Sequence, residues 1–194
     1  PVQGTILCLG DSLTAGYGLS EDQAFPALLE ARLREAGLAW RVINAGISGE
    51  TSSGALSRLD WVLTLDPDIV LVATGANDGL RGVDPDLTRR NLEAIVARLQ
   101  SEGRVVVLAG MKMVRNLGLP FTQAFEAIYP AVAASHGVIL VPFLLEGVAG
   151  RPALNLADGI HPNAEGHRRM TELLLPFVRE AIQRRRQGAR TSPG

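Results

Sequence analysis

The stretch Thr5–Ser12, TILCLGDS, decides the fold. Its first five residues are apolar or β-branched at every position, and Gly10 ends the run just before an acid and a serine. A strand without polar alternation suits a parallel sheet that helices cover on both faces. Ligands bind at the carboxyl ends of such strands, so Asp11 and Ser12 stand where chemistry is expected.

Further apolar runs and helical patterns follow in alternation. Four more strands are predicted, at 40–46, 68–75, 104–110 and 137–143. Apolar residues at a period of 3.6 predict helices between and after them, at 25–37, 52–66, 84–103, 122–137 and 163–186. Pro130 is expected to kink or break the fourth of these helices. We therefore predict an α/β fold of three layers, α/β/α and flavodoxin-like, with a five-stranded parallel sheet.

Composition limits the domain count and the partners. The 194 residues suit one domain, predicted over 1–187, and the segment 188–194 lacks apolar residues and is expected to be a disordered tail. A net charge of -1 and 5% aromatic residues argue against a nucleic-acid partner. Cys8, the single cysteine, has no partner for an internal disulfide.

Hydropathy and the start of the chain bear on its location. No apolar stretch reaches the ~20 residues that span a bilayer, and no signal peptide is present. The chain begins at Pro1 without a methionine, so we expect that an upstream segment was removed.

Polar residues cluster after the predicted strands. Ser12 follows the first, Gly49 the second and Asn77 the third, and Asp158 and His161 follow the fifth. A serine needs a base to take its proton, the histidine needs a carboxylate to hold its tautomer, and the oxyanion that develops needs fixed donors. These residue types at one edge of a sheet predict acyl transfer.

The blocks that carry these residues resemble those of the GDSL, or SGNH, hydrolases. The similar blocks are GDSLTAGYG at 10–18, NAGISGET at 44–51, GAND at 75–78 and DGIHPN at 158–163, and the resemblance covers 5–177. The subgroup that it matches best comprises small bacterial multifunctional esterases, with acyl-CoA thioesterase I, lysophospholipase and arylesterase activities.

The resemblance implies a role for each of these residues. Ser12 is the nucleophile, and His161 and Asp158 complete a catalytic triad. The backbone N–H groups of Ser12 and Gly49 and the side chain of Asn77 form the oxyanion hole. Ala76 departs from the family pattern, which usually has a second glycine there. Since a methyl group removes no donor, we expect activity to survive.

Structural readings compete with these roles. Ser12 alone would suit a helix cap, and Asp158 with His161 a loop salt bridge. The chain has no G-x-S-x-G, which argues against the nucleophile elbow of α/β-hydrolases. His136 and His167 are predicted to be structural, and neither a metal nor another cofactor is expected. The apolar residues between Met111 and Phe121 suit either packing or an acyl-chain groove.

Three functions stay open. The first is a serine hydrolase of carboxylic esters, and also of acyl thioesters, whose partner is a small-molecule substrate. The second is a carbohydrate O-deacetylase with the same residues, and the third is a non-catalytic binding module on the same scaffold. No nucleic acid and no stable membrane insertion are expected, a monomer is plausible, and the resemblance implies a periplasmic or secreted location with a cytoplasmic one left open.

Overall fold

The computed structural model describes residues 1–113 and 117–191. Five strands form one sheet in the order β2-β1-β3-β4-β5, and every neighbouring pair is parallel. The strands are β1 (Gly4–Gly10), β2 (Trp40–Gly46), β3 (Ile69–Ala73), β4 (Val105–Ala109) and β5 (Ile139–Val141). This order is that of flavodoxin-like folds, which confirms the predicted fold class.

Helices follow each strand. Over the described residues they are α1 (Ser12–Ala15), α2 (Phe25–Glu35), α3 (Ser52–Ser57), α4 (Leu59–Thr64), α5 (Ala76–Leu80), α6 (Pro85–Ser101), α7 (Leu119–His136) and α8 (Ala164–Thr191). Within this part of the chain, none of them is both long and apolar enough to cross a membrane.

The hydrophobic core lies on the two faces of the central strands. All five residues of β3 are buried, and Ile6–Leu9 of β1 are completely inaccessible. The unbroken apolar runs of the sequence therefore have the cause expected of them, since helices cover both sides of the sheet. The strand pairing aligns Gly10 at the end of β1 with Gly46 on β2 and Ala73 on β3. Three chain segments thus leave the sheet side by side.

The prediction of a single helix over 52–66 is wrong, because this segment forms two helices. α3 and α4 meet at Arg58, whose backbone departs from helical values at φ -104° and ψ 11°. Its guanidinium turns inward to Glu50 and to the carbonyl oxygen of Ala45. These contacts with residues outside the segment interrupt the helix at Arg58, although the apolar residues continue at a helical period through it.

Pro130 does not break its helix, and α7 continues through it to His136. The ring of Pro130 lies on the exposed side of the helix, so it does not disturb the packing of α7 on the sheet. At the carboxyl end of the chain, α8 runs to Thr191 and so extends past the predicted domain boundary at 187. The structure thus differs from the expected tail over 188–191, and 192–194 lie outside the described residues.

His167 of α8 has the structural position expected of it. Its side chain is buried, and its Nδ1 accepts a hydrogen bond of 3.0 Å from the backbone N–H of Phe25, the first residue of α2. Ala24 at the N-cap of α2 offers no side chain to that helix end, so His167 caps it from another part of the chain. Burial lowers the pKa of His167 to about 4.

We expect the free energy of unfolding to fall in acid because of His167. Its folded-state pKa lies below the ordinary value of 6.5, so its contribution is complete above pH 6.5 and is lost as the pH falls towards 4. The loss amounts to about 3 kcal/mol. Urea unfolding from pH 7 to pH 4 should show a flatter profile for His167→Gln than for the parent. His136→Gln, the matched control, should follow the parent profile.

Candidate active site

Ser12 stands at the point where β1 passes into α1. Asp11 caps this helix, since its Oδ1 accepts from the N–H of Leu13 at 3.0 Å. As the first residue of the helix, Ser12 has a backbone N–H without an intrahelical acceptor. Hydroxyl and N–H are therefore both presented at the carboxyl edge of the sheet. This edge is the topological switch point between β1 and β3.

Ser12, His161 and Asp158 form one hydrogen-bonded line. His161 Nε2 lies 3.1 Å from Ser12 Oγ, and His161 Nδ1 lies 2.6 Å from Asp158 Oδ2. A carboxylate only accepts, so Nδ1 carries the proton and Nε2 accepts from the serine hydroxyl. The structure brings the three predicted residues together, although 149 positions separate Ser12 from His161.

One short loop carries both the acid and the base. Asp158 Oδ1 accepts from the backbone N–H groups of Ile160 and His161, at 2.9 and 3.0 Å. The N–H of Leu156 donates to the carbonyl oxygen of His161 at 2.7 Å and closes the loop on itself. The carboxylate therefore fixes the backbone with one oxygen and the imidazole with the other.

These contacts hold Asp158 in its charged form. The backbone N–H of His161 is the largest influence, followed by the imidazole and by the N–H of Ile160, and together they lower the pKa of Asp158 to about 2. The carboxylate thus stays ionised throughout the range in which a histidine acts as a base.

Gly49 lies in the loop between β2 and α3 with a left-handed backbone, at φ 83°. Arg81 donates to its carbonyl oxygen at 2.8 Å and ties the loop to the end of α5. No described residue accepts a hydrogen bond from the N–H of Gly49. This donor is free for a substrate oxygen, as the predicted oxyanion hole requires.

Asn77 lies in α5, directly beyond β3. Its Nδ2 donates to the carbonyl oxygen of Glu50 at 2.9 Å, and this bond leaves its second N–H for a ligand. Gly75 before it has a φ of 109°, and any Cβ there would collide with the hydroxyl of Tyr129. The neighbouring Ala76 is helical and packs against the core, so the departure from the family pattern leaves Asn77 on its helix.

Asp78 was overlooked by sequence reasoning, although it follows Asn77 directly. The carboxylate is buried and accepts from the backbone N–H and the hydroxyl of Ser52, at 2.7 and 2.5 Å, and from Thr88 Oγ1 at 2.8 Å. Ser52 begins α3, three residues after Gly49. Asp78 therefore fixes the distance between the two segments that carry Gly49 and Asn77.

The ion pair of Glu50 with Arg58 is a second interaction that supports the site and that the sequence does not predict. Arg58 contacts both carboxylate oxygens, at 2.7 and 3.0 Å, and donates to the carbonyl oxygen of Ala45. The two side chains are 7% and 15% exposed, so both charges are largely withdrawn from water. The pair braces residues 47–51, which carry the predicted oxyanion donor Gly49 and are called the oxyanion loop below, against the end of β2.

Tyr17 packs against the imidazole of His161. The centroids of Tyr17 and His161 are 4.3 Å apart, with their planes inclined by 35°. Tyr17 follows α1 in the same glycine-rich block as Ser12. This position in the block is the one feature of the sequence that could have indicated its contact with His161. The contact limits rotation of the imidazole out of its line with Ser12.

Asp11 is buried beside the nucleophile. Its Oδ2 has no hydrogen-bond partner among the described residues. Burial is the main reason why the pKa of its carboxyl group rises to about 6, and the nearby Glu50 adds to the rise. Its other oxygen, Oδ1, braces the loop after β1 through the bond to the N–H of Leu13.

We expect Asp11→Asn to stabilise the protein in alkaline solution. The raised folded-state pKa means that the contribution of Asp11 is complete below pH 4 and is lost as the pH rises through about 6. An amide keeps the cap and is never charged, so the variant should be more stable by about 3 kcal/mol at pH 8. Urea unfolding at pH 8 and at pH 4 measures the difference, which should vanish at the lower pH. Asp22→Asn, at an exposed site, should change neither value.

Two further features of the sequence were candidates for a site: metal-ligating residues and the apolar segment after β4. Over the described residues, no group of three or more His, Cys, Asp or Glu side chains could hold a metal ion. In the apolar segment after β4, Met111 is buried and Phe121 packs against the core, whereas Leu117 and Leu119 are exposed. Val114, which was also considered for the groove, lies outside the described residues.

Comparison with known proteins assigns the chain to a family. The GDSL-like lipase/acylhydrolase family matches residues 8–169, and the chain belongs to this family. It is therefore a hydrolase of the GDSL esterase class.

The chain is also similar to two curated relatives and to one solved structure. Esterase TesA of Pseudomonas aeruginosa is 42% identical over 179 residues, which cover 92% of this chain and 89% of that protein. A protein of Escherichia coli named thioesterase 1/protease 1/lysophospholipase L1 is 41% identical over 162 residues, with coverages of 83% and 76%. The esterase EstA of Pseudoalteromonas sp., in a structure inhibited by monoethylphosphonate, superposes with a TM-score of 0.89 at 32% identity, covering 93% of this chain and 100% of that one.

Proposed function

We propose that this chain hydrolyses carboxylic esters and acyl thioesters through an acyl-enzyme on Ser12. The observation that carries the proposal is the line from Ser12 Oγ to His161 to Asp158, with donor–acceptor distances of 3.1 and 2.6 Å. A loop salt bridge would explain the second distance alone, but it would not direct Nε2 at a serine 149 positions away.

In the first half of the reaction, Ser12 Oγ attacks the carbonyl carbon while His161 Nε2 takes the hydroxyl proton. Asp158 stabilises the imidazolium that forms. The carbonyl oxygen becomes an oxyanion and accepts from the N–H groups of Ser12 and Gly49 and from the amide of Asn77. His161 then gives its proton to the departing alcohol or thiol, and the acyl group stays on Ser12.

In the second half, water replaces the leaving group. His161 takes a proton from this water, which attacks the acyl carbon, and the same three donors hold the second oxyanion. Collapse of the intermediate returns the proton from His161 to Ser12 Oγ and releases a carboxylic acid. No step needs a metal or another cofactor.

Covalent labelling with a fluorophosphonate tests the proposal. Ser12 Oγ should displace fluoride from phosphorus, and its proton should pass to His161. Intact-mass and peptide analysis should then find one phosphonyl group, on Ser12. His161→Ala should label much more slowly although its serine is intact, since the base is missing. A label on another residue, or equal rates in parent and variant, would contradict the assignment.

An acyl-chain series separates the ester hydrolase from the deacetylase. The Escherichia coli relative is named a thioesterase and a lysophospholipase, and this name supports fatty acyl substrates for our chain. The exposed Leu117 and Leu119 support the same expectation. We expect faster hydrolysis of p-nitrophenyl butyrate and palmitoyl-CoA than of acetylated xylan. The opposite order would favour a carbohydrate O-deacetylase with the same machinery.

A further inference from the structure

Exposed apolar side chains are concentrated at the edge of the sheet where Ser12 stands. Ten large hydrophobic side chains are exposed in the described part of the chain, and six of them lie beyond the carboxyl ends of the strands. We call these six the apolar rim: Tyr17, Ile47, Leu80, Leu117, Leu119 and Ile160. A single exposed apolar residue needs no explanation, but a group around one opening indicates a binding surface.

Three residues of the rim lie next to the segments that carry Ser12 and His161. Tyr17 is 52% exposed and still packs on the imidazole of His161. Ile160 precedes His161 and is 56% exposed. Ile47 begins the oxyanion loop, and its N–H donates to the carbonyl oxygen of Gly10 at the end of β1.

The rim continues along α5 and the start of α7. Leu80 is 52% exposed and precedes Arg81, which holds the oxyanion loop. The Leu117 side chain lies beside Gly82, and Leu119 in the first turn of α7 is 53% exposed. Residues after all five strands thus contribute to the rim, at the same edge of the sheet as Ser12.

The position of the rim decides what kind of partner fits it. A protein seated there would cover Ser12 and stop turnover. A lipid aggregate would instead bring ester bonds to Ser12 while its acyl region covers the apolar side chains. We propose that the apolar rim docks the enzyme on the surface of zwitterionic phospholipid aggregates and delivers lipid esters to the site. This inference rests on the proposed function.

Charge supports a zwitterionic surface rather than an anionic one. The whole chain has a net charge of -1, so it is not drawn to anionic lipid. In the segments that follow the strands at this edge, the cationic Arg81 and Lys112 are exposed, and so are the acidic Glu21 and Asp22. Apolar insertion is then the main attraction, and adding salt should leave the binding almost unchanged.

Co-sedimentation with phosphatidylcholine vesicles tests the docking. Every protein in the test carries Ser12→Ala, so lipid is not consumed and binding does not depend on catalysis. We expect the Ser12→Ala chain to sediment with the vesicles. Adding Leu80→Ser and Leu119→Ser should raise the lipid concentration for half-binding by at least about tenfold.

A matched pair of substitutions controls for loss of apolar surface in general. Val2 precedes β1 and Leu65 precedes β3, so both exposed side chains lie at the opposite edge of the sheet. Val2→Ser with Leu65→Ser should change half-binding by less than about twofold. The inference is overturned if the Ser12→Ala chain stays in the supernatant, or if both pairs weaken binding equally. It is also overturned if sedimentation velocity shows a dimer that only the rim pair dissociates, since the rim is then an interface between copies.

The two proposals fail in different ways. Failure of the proposed function would appear as absent hydrolysis of soluble p-nitrophenyl acetate by the parent. Failure of the docking would leave that activity intact while vesicle binding is absent. The ratio of rates on micellar lysophosphatidylcholine and on p-nitrophenyl acetate, taken within each variant, should fall about tenfold for the rim pair and stay constant for the control pair.

Discussion

Ser12→Ala is expected to lower kcat on p-nitrophenyl butyrate by at least about 10³-fold. The alanine cannot form the acyl-enzyme, while the donors of Gly49 and Asn77 remain and leave a small residual rate. The serine side chain makes its one hydrogen bond to His161, so folding should not change. Initial rates with purified protein, together with thermal unfolding followed by circular dichroism, measure both effects.

A matched serine variant completes this experiment. Ser101 lies at the end of α6, where its hydroxyl donates to the carbonyl oxygen of Arg98, far in the chain from every predicted site residue. Ser101→Ala should therefore keep the parent kcat. If Ser12→Ala retained a tenth or more of the parent rate, another nucleophile would have to be sought.

Asp158→Asn should lower kcat/KM by about 10⁴-fold without opening its loop. The amide oxygen can still accept from the N–H groups of Ile160 and His161, as Oδ1 does now. The amide nitrogen, however, would face His161 Nδ1 and donate to it. The imidazole would then carry its proton on Nε2 and could no longer accept the proton of Ser12.

The comparison with alanine separates chemistry from loop structure. Asp158→Ala removes the acceptor for the loop as well, so it should lower both the activity and the hydrogen-exchange protection around Ile160. Asp158→Asn should lower the activity alone. Asp60→Asn, at an exposed carboxylate on α4, is the control and should leave both unchanged. Activity above a tenth of the parent value in Asp158→Asn would mean that Asp158 does not set the tautomer of His161.

Much of the fold was predictable because it depends on local patterns. The apolar runs around Ile6 and Ile69 mark strands that are buried on both faces, and the fold class follows from their alternation with helices. The break at Arg58 was not predictable, since its partners Glu50 and Ala45 lie outside the helical segment and no periodicity encodes them.

The same division applies to the site. Ser12, Asp158 and His161 stand in recognisable blocks, and their roles follow from what each side chain can do chemically. Asp78 was missed because its partners, Ser52 and Thr88, lie 26 and 10 positions away. Supports of this kind become visible only when the chain is folded, because they depend on which segments meet and not on the order of residues within one.

The loop from Leu156 to Asn163 gathers Asp158 and His161, two of the three side chains of the proposed triad, into eight consecutive residues. Nucleophile and oxyanion donors, by contrast, stand at the ends of strands that the whole sheet holds in place. Asp158 and His161 therefore form a unit of their own within one loop, which is closed by its own hydrogen bonds and joined to the rest of the fold at its two ends. Transfer of residues 156–163 to a related fold would bring the acid and the base together, and their removal from this chain would take both away while the sheet stays intact.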